Sequence, residues 1–411
     1  MKKVLGVIIC ILLVCTAGLC GYALLSQNDA PTAAIVSSVS QPVSSVSEPE
    51  PEPVVSTLHF SATGDNLIHD GLYLQAAARA GGTGYDFTYL YQNIASFYLQ
   101  YDINWINQET LVTDEYAPAG YPCFCSPAAL GEEVYNVGWR VISMSNNHSY
   151  DKGAGGITAT QAFWDNMPDD VVTTGEWRGE SDYDTIPVQE IGGIKIAYLA
   201  YTEHTNGLPT PANAEANVIY TNELDVIQHQ IEVAKQKADL VFVGVHMGVE
   251  GSHTTTEAQA QWFQQVADWG ADCIIGTHPH VIQNMDWLDT ADGRSVPVAY
   301  SLGNFANLQS SADNLVGIVM TLDIQITTQP DGTVSDILLD NLQAVPVVMQ
   351  YDSGYTNGRV YLYADYTDEL AAQHGIRGNY PSWSLDYIRS VLEDNISAEY
   401  LVLESPIQNA A

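Results

Sequence analysis

Along the chain, short apolar runs alternate with stretches whose apolar positions recur at helical spacing. The runs are 58–63, 103–106, 141–145, 194–199, 240–245, 273–275 and 298–302, and each has the length and the β-branched or aromatic content of a strand. Between them, Ser126-Pro127 reads as a helix start, with serine as N-cap and proline at the first helical position. Thr256 and Gln259 have capping-box spacing, and Trp262, Phe263, Val266 and Trp269 then form one apolar stripe that stops at Gly270. The stripe predicts a helix packed on a sheet. The whole pattern predicts an α/β fold, with helices covering a largely buried sheet.

The first 57 residues depart from this alternation. Residues 4–25 carry no charge and follow Lys2-Lys3. That is long enough to span a bilayer, with the lysines on the cytoplasmic side. A cleaved signal peptide is the alternative; an uncleaved single-pass anchor is the expectation, and either reading places the rest outside the cell. Residues 26–57 are rich in Ser, Pro, Val, Ala and Glu and end in alternating Glu and Pro up to Pro53, the composition of a disordered stalk. The formal charge of −36, from 13 basic and 49 acidic residues, excludes nucleic acid as a partner. It also repels an anionic polymer unless cations intervene. Of six cysteines, Cys10, Cys15 and Cys20 fall in the apolar segment, and Cys123, Cys125 and Cys273 are too few for a disulfide scaffold; a Cys123–Cys125 bridge is left open.

The candidate chemistry sits where the apolar runs end. Gly64-Asp65 follows the first run, Asn107-Gln108-Glu109 the second, and Asn146-Asn147-His148 the third. His246 closes the fifth and Gly276-Thr277-His278-Pro279-His280 the sixth. A lone His-x-His pair is more often surface loop than ligand, but ligands gather beyond the carboxyl ends of strands in α/β sheets. An i, i+2 pair aims both imidazoles one way if the chain stays extended. Carboxylates, imidazoles and an amide oxygen delivered to one edge are what a two-metal hydrolytic site needs.

The order of these motifs resembles the calcineurin-like metallophosphoesterase superfamily, and within it the bacterial capsule-synthesis CapA family linked to poly-γ-glutamate. Ser145–Asp151, His246–Glu250 and Tyr300-Ser-Leu-Gly-Asn-Phe305 carry the resemblance beside the motifs above, over residues 58–345. The resemblance implies a four-layer αββα sandwich and a C-terminal extension, 346–411, of unassigned role, either lid or helical cap. It implies that Asp65 and His280 bind a first metal, that Glu109 takes the bridging position, and that Asn147, His246 and His278 bind a second. One or two divalent transition ions (Zn, Mn or Fe) are implied, with His148 as the group that protonates a leaving group. The superfamily's histidine two residues after the first aspartate is Leu67 here, and His69 could replace it only if the loop folds back. Asp151 and Glu250 are expected to orient ligands, and Asn304 to bond to a ligand histidine. Asn206-Gly207 reads as a turn, in a segment 203–206 that could line the cleft. The implied role is a cell-surface part in capsule-polymer synthesis, export or attachment, with the polymer or its membrane complex as partner. A non-catalytic polymer-binding component and a secreted metallophosphatase are the alternatives.

Overall fold

The computed structural model describes residues 51–211 and 213–404. The anchor expected at 4–25 and residues 26–50 of the expected stalk lie outside the described residues; the end of that stalk, 54–57, is instead part of the strand Val54–Asn66, which pairs along its length with a later strand. Among those described, no helix is long and apolar enough to cross a membrane.

The chain begins one sheet, builds a second, and returns to the first. β1 (Val54–Asn66), β2 (Ile103–Asn107), β3 (Val141–Ser143) and β4 (Val172–Thr174) lie side by side in parallel. The second sheet holds β5 (Val188–Ile191), β6 (Ile194–Thr202), β7 (Leu240–His246), β8 (Cys273–Thr277), β9 (Met285–Asp289) and β10 (Ser295–Ala299) in the order β5-β6-β7-β8-β10-β9. β6, β7, β8 and β10 are parallel, with antiparallel β5 and β9 at the edges. The chain then adds β11 (Asn304–Ala306) and the antiparallel run β12 (Val316–Thr328), β13 (Val334–Asp352) and β14 (Thr356–Leu362) to the free side of β1. Residue 345 falls inside β13, so the chain beyond it is continuous with the first sheet, and β14 extends that sheet.

The period of two along each strand decides what faces what. On β7, Phe242 points to the first sheet, where it meets Phe60 edge-on with ring centroids 5.0 Å apart. The alternate positions Val241, Val243 and Val245 pack instead with Ile227 and Ile231 of helix Leu224–Lys237 and with Trp262, Phe263 and Val266 of helix Glu257–Trp269. Across the other sheet, Thr63 turns outward to the Tyr98 hydroxyl (2.8 Å) and accepts from Trp139 Nε1 (3.1 Å). Helix, sheet, sheet and helix therefore stack in that order. Each fully buried large apolar side chain adds roughly 1.5–3 kcal/mol to that stacking.

The capping box at Thr256 is present, with both reciprocal bonds to Gln259, and Gly270 ends the helix at φ 122°. The other expected helix start is displaced by one residue. Pro127 is the N-cap and the helix runs Ala128–Val137, because Ser126 turns inward to the Thr110 hydroxyl (2.7 Å) and Asp114 Oδ1 accepts the Ala128 N–H instead (2.9 Å). Cys123, Cys125 and Cys273 are free thiols.

Candidate metal centre

All the parallel strands that carry the motifs end on one side of the sandwich, so residues distant in sequence meet there. The ends of β1 and β8 press against the segment 300–303. A Cβ at Gly276 would lie 2.1 Å from the Tyr300 carbonyl oxygen, and one at Gly64 2.1 Å from that of Gly303. In return, the Leu302 N–H donates to the Gly276 carbonyl (3.0 Å) and the Asp65 N–H to that of Gly303 (3.0 Å). Gly276→Ala is expected to destabilise the protein by about 1–3 kcal/mol, the cost of overpacking a rigid contact, read as a lower urea midpoint at unchanged m-value.

Beyond Thr277 the chain is not extended. His278 has φ 101° and His280 φ 59°, a left-handed backbone that residues with a Cβ rarely adopt. The two imidazoles therefore diverge, contrary to the expectation from their spacing. His278 Nδ1 lies 3.1 Å from His246 Nε2, whereas His280 Nδ1 donates to Asp65 Oδ2 (3.1 Å) and Asn304 Oδ1 (3.0 Å). With both neighbours of Nδ1 acting as acceptors, Nε2 is the nitrogen left to face Glu109 Oε1, at 3.8 Å.

Asp65, Glu109 and His280 are buried, and one ligand atom from each lies within 4.8 Å of the others. A second group surrounds His246, whose Nε2 is 3.1 Å from Asn147 Oδ1 and 3.6 Å from Glu109 Oε1, while its Nδ1 faces the Thr277 hydroxyl at 2.9 Å. Glu109 thus stands between the two groups. Asn107 Nδ2 donates to Asp65 Oδ1 (2.7 Å) and holds that carboxylate in place.

The decisive feature is what Glu109 lacks. Both of its carboxylate oxygens are sealed from solvent and neither has a hydrogen-bond partner. Burial, and then the negative charge of Asp65, push its carboxyl well above the usual range. Burial also acts to lower the His280 imidazole, but Glu109 and Asp65 outweigh it and lift it to about 9. Burial and neighbouring imidazoles, His280 foremost, push His278 down to about 3; burial and His278 hold His246 well below the ordinary histidine value. A buried carboxylate with no hydrogen-bond partner, set between the Asp65 carboxylate and the neutral His246 imidazole, is costly in a plain protein interior. A divalent cation removes that cost, and carboxylate, imidazole and amide oxygen are its usual donors. The buried Asp65, Glu109 and His280 group is therefore suited to a divalent metal ion.

His148 sits beside this centre with its ring fixed. Its Nδ1 donates to Asp151 Oδ2 (2.7 Å), and the same oxygen accepts the Phe124 N–H. The Phe124 ring packs edge-on against His148, centroids 4.7 Å apart. Glu250 is exposed on its loop. His69 is not part of the converging Asp65, Glu109 and His280 group, and its Nδ1 faces the Leu67 carbonyl (3.1 Å) and the Leu308 N–H (3.3 Å). Sequence reasoning gave no role to Asn107 or Thr277, although the strand alternation that brings Trp105 inward also brings Asn107 inward. It placed Asn206 in a turn, which is correct; its side chain also lies 3.4 Å from both Asn147 and His148. A left-handed φ of 51° aims it there.

The bacterial capsule synthesis protein PGA_cap family model matches residues 59–309. Among curated proteins, the capsule biosynthesis protein CapA of Bacillus anthracis is 32% identical over 176 residues, 42% of this chain and 41% of that protein. The PGA biosynthesis protein CapA of Bacillus subtilis (strain 168) is 28% identical over 170 residues, 41% of this chain and 43% of that protein. The chain thus spans about two fifths of the length of the curated relatives it matches. Among solved structures, the NAD nucleotidase (NadN) of Haemophilus influenzae superposes with a TM-score of 0.40 at 14% identity, over 85% of this chain and 58% of that one. A putative 5'-nucleotidase from Staphylococcus aureus gives 0.39 at 11%, over 80% and 59%. The family match runs from β1 through β11 and so takes in every residue of the centre: the chain belongs to the bacterial capsule synthesis protein PGA_cap family.

Proposed function

We propose that this protein takes part in making, exporting or attaching a poly-γ-glutamate or related capsule polymer, and that it does so through a metal-dependent hydrolase-type site of the calcineurin-like kind. The observation that carries the metal is the unpartnered Glu109 carboxylate between His246 and His280. Asp65 and His280 would hold one ion, Asn147, His246 and His278 a second, and Glu109 both; Zn, Mn and Fe all suit such donors. An ion bound there would polarise a substrate oxygen and acidify water. The chain's own contribution is His148, whose Nδ1–H is held by Asp151, so that in the imidazolium form its Nε2–H would be passed to a departing group. The relatives' names supply the capsule assignment. A membrane anchor at residues 4–25 would keep the site on the cell surface.

One observation favours a second reading, a polymer-binding component without turnover. The two basic side chains nearest the motifs in sequence are already engaged: Lys152 Nζ donates to the Cys123 carbonyl (2.9 Å) and Arg178 pairs with Asp165 (2.6 Å). Any anion must then be held by the cations themselves. Purified protein is expected to carry at least one transition metal per chain and to hydrolyse a generic phosphodiester such as bis-p-nitrophenyl phosphate. Metal without turnover would select the binding reading, and protein that takes up no metal would end both.

A further inference from the structure

We propose that the groove between the edges of the two sheets docks an extended, positively charged peptide segment of a partner protein. This inference is independent of the metal centre's function. β4 is the last strand of the first sheet on its side and β5 the last of the second. A groove of about 350 Å³ opens along both, lined by Asp169, Thr173, Glu176, Arg178, Asp182 and Val188 among others.

The first argument concerns the backbone. The Val172 N–H donates to the Arg140 carbonyl (2.7 Å) and the Thr174 carbonyl accepts the Met144 N–H (3.0 Å), so both residues spend their backbone groups toward β3. In a parallel pair the residue between them points its N–H and C=O the opposite way. Thr173 therefore offers a free donor and acceptor to the groove. An open strand edge of this kind templates the addition of another extended chain.

The second argument concerns charge. Glu176 Oε2 is sealed from solvent and has no hydrogen-bond partner. Asp169 and Asp182 add two more carboxylates to the lining. Among the described residues, the cation that lines the groove is already committed, since the Arg178 guanidinium makes two bonds to Asp165 (2.8 and 2.6 Å). Burial also pushes the Glu176 carboxyl well above its usual range, a penalty that an ammonium or guanidinium placed beside it would relieve. A metal ion fits less well: among the described residues, the acidic and histidine groups that converge tightly enough for one are Asp65, Glu109 and His280. A strand edge together with an unsatisfied acid matches a peptide whose alternate side chains are Lys or Arg. Glu176 also lines a small gap with Gln108, Asn146 and Ser149, next to the loop that carries Asn147 and His148.

The test uses the full chain and two fluorescein-labelled heptapeptides, one alternating valine and lysine, the other valine and glutamate, read by fluorescence anisotropy. The lysine peptide is expected to bind and the glutamate peptide not. Glu176→Gln should weaken the lysine peptide at least tenfold, and so should Thr173→Pro, which removes the edge donor. If Thr173→Pro fails to fold, N-methylation of alternate peptide residues makes the same cut from the other side, with the same expected loss. Undiminished binding to Glu176→Gln overturns the proposal. So does displacement of the peptide by 1,4-diaminobutane at the concentration at which unlabelled peptide displaces it, since the groove would then hold a bare amine.

Discussion

Replacing Glu109 with Gln is expected to act in opposite directions on the metal-free and metal-loaded protein. The carboxylate is buried and unpartnered, with its carboxyl pushed well above the usual range. In the metal-free protein the neutral amide keeps the shape and removes the charge that burial penalises, so thermal stability should equal or exceed that of wild type. In the metal-loaded protein the amide supplies one neutral oxygen where a carboxylate would sit between two cations. Affinity should fall by at least the factor of about 10–100 seen when mere supporting groups of metal sites are lost. Metal titration followed by thermal melts with and without ion reads both signs. A metal-free melt well below wild type, together with unchanged affinity, would show that Glu109 is packing and not a ligand.

His148→Ala should separate chemistry from metal binding. The ring's Nδ1 is tied to Asp151 at 2.7 Å, and none of its atoms lies within hydrogen-bond distance of Asp65, Glu109 or His280. Metal stoichiometry should therefore stay at the wild-type value. Turnover should drop by about 10²–10⁴, the usual contribution of a positioned general acid. Asp151→Asn offers a second measurement, since it keeps the imidazole and alters what holds it. The outcome against a catalytic role is a His148→Ala protein that loses its metal, or one that retains it at full rate. If wild type turns nothing over and His148→Ala still abolishes polymer in cells, the binding reading replaces the catalytic one.

How much of the site was legible follows from where each residue sits. Asp65, His246 and the His278–His280 pair end apolar runs, and a run that ends in a candidate ligand residue is visible in one dimension. Asn304 was expected to bond to a candidate ligand histidine, and its Oδ1 lies 3.0 Å from His280 Nδ1. Asn107 stands inside a motif that reveals no task for it, because its task depends on reaching a carboxylate on the neighbouring strand. His69 lay close in sequence to Asp65 but is turned toward the backbone around Leu67 and Leu308. Asn206 could be recognised as a turn former, but a turn preference says nothing of which loop lies opposite.

By itself the sequence determined the alternation of strands and helices over residues 58–302 and the capping of the helix at Thr256. Both are set by near neighbours: side-chain period, local hydrogen bonding and backbone preference act within a few residues. Only the tertiary structure decided that the chain leaves one sheet, builds another and returns, which pairs β1 with β12 more than 250 residues later. It also decided the left-handed turn that sends His278 and His280 in different directions, which the packing of Gly276 against the Tyr300 carbonyl accompanies. Above all, it left the Glu109 carboxylate with no partner among all the groups around it. An unmet hydrogen bond belongs to the whole fold, since every group that might have met it arrives from a different strand.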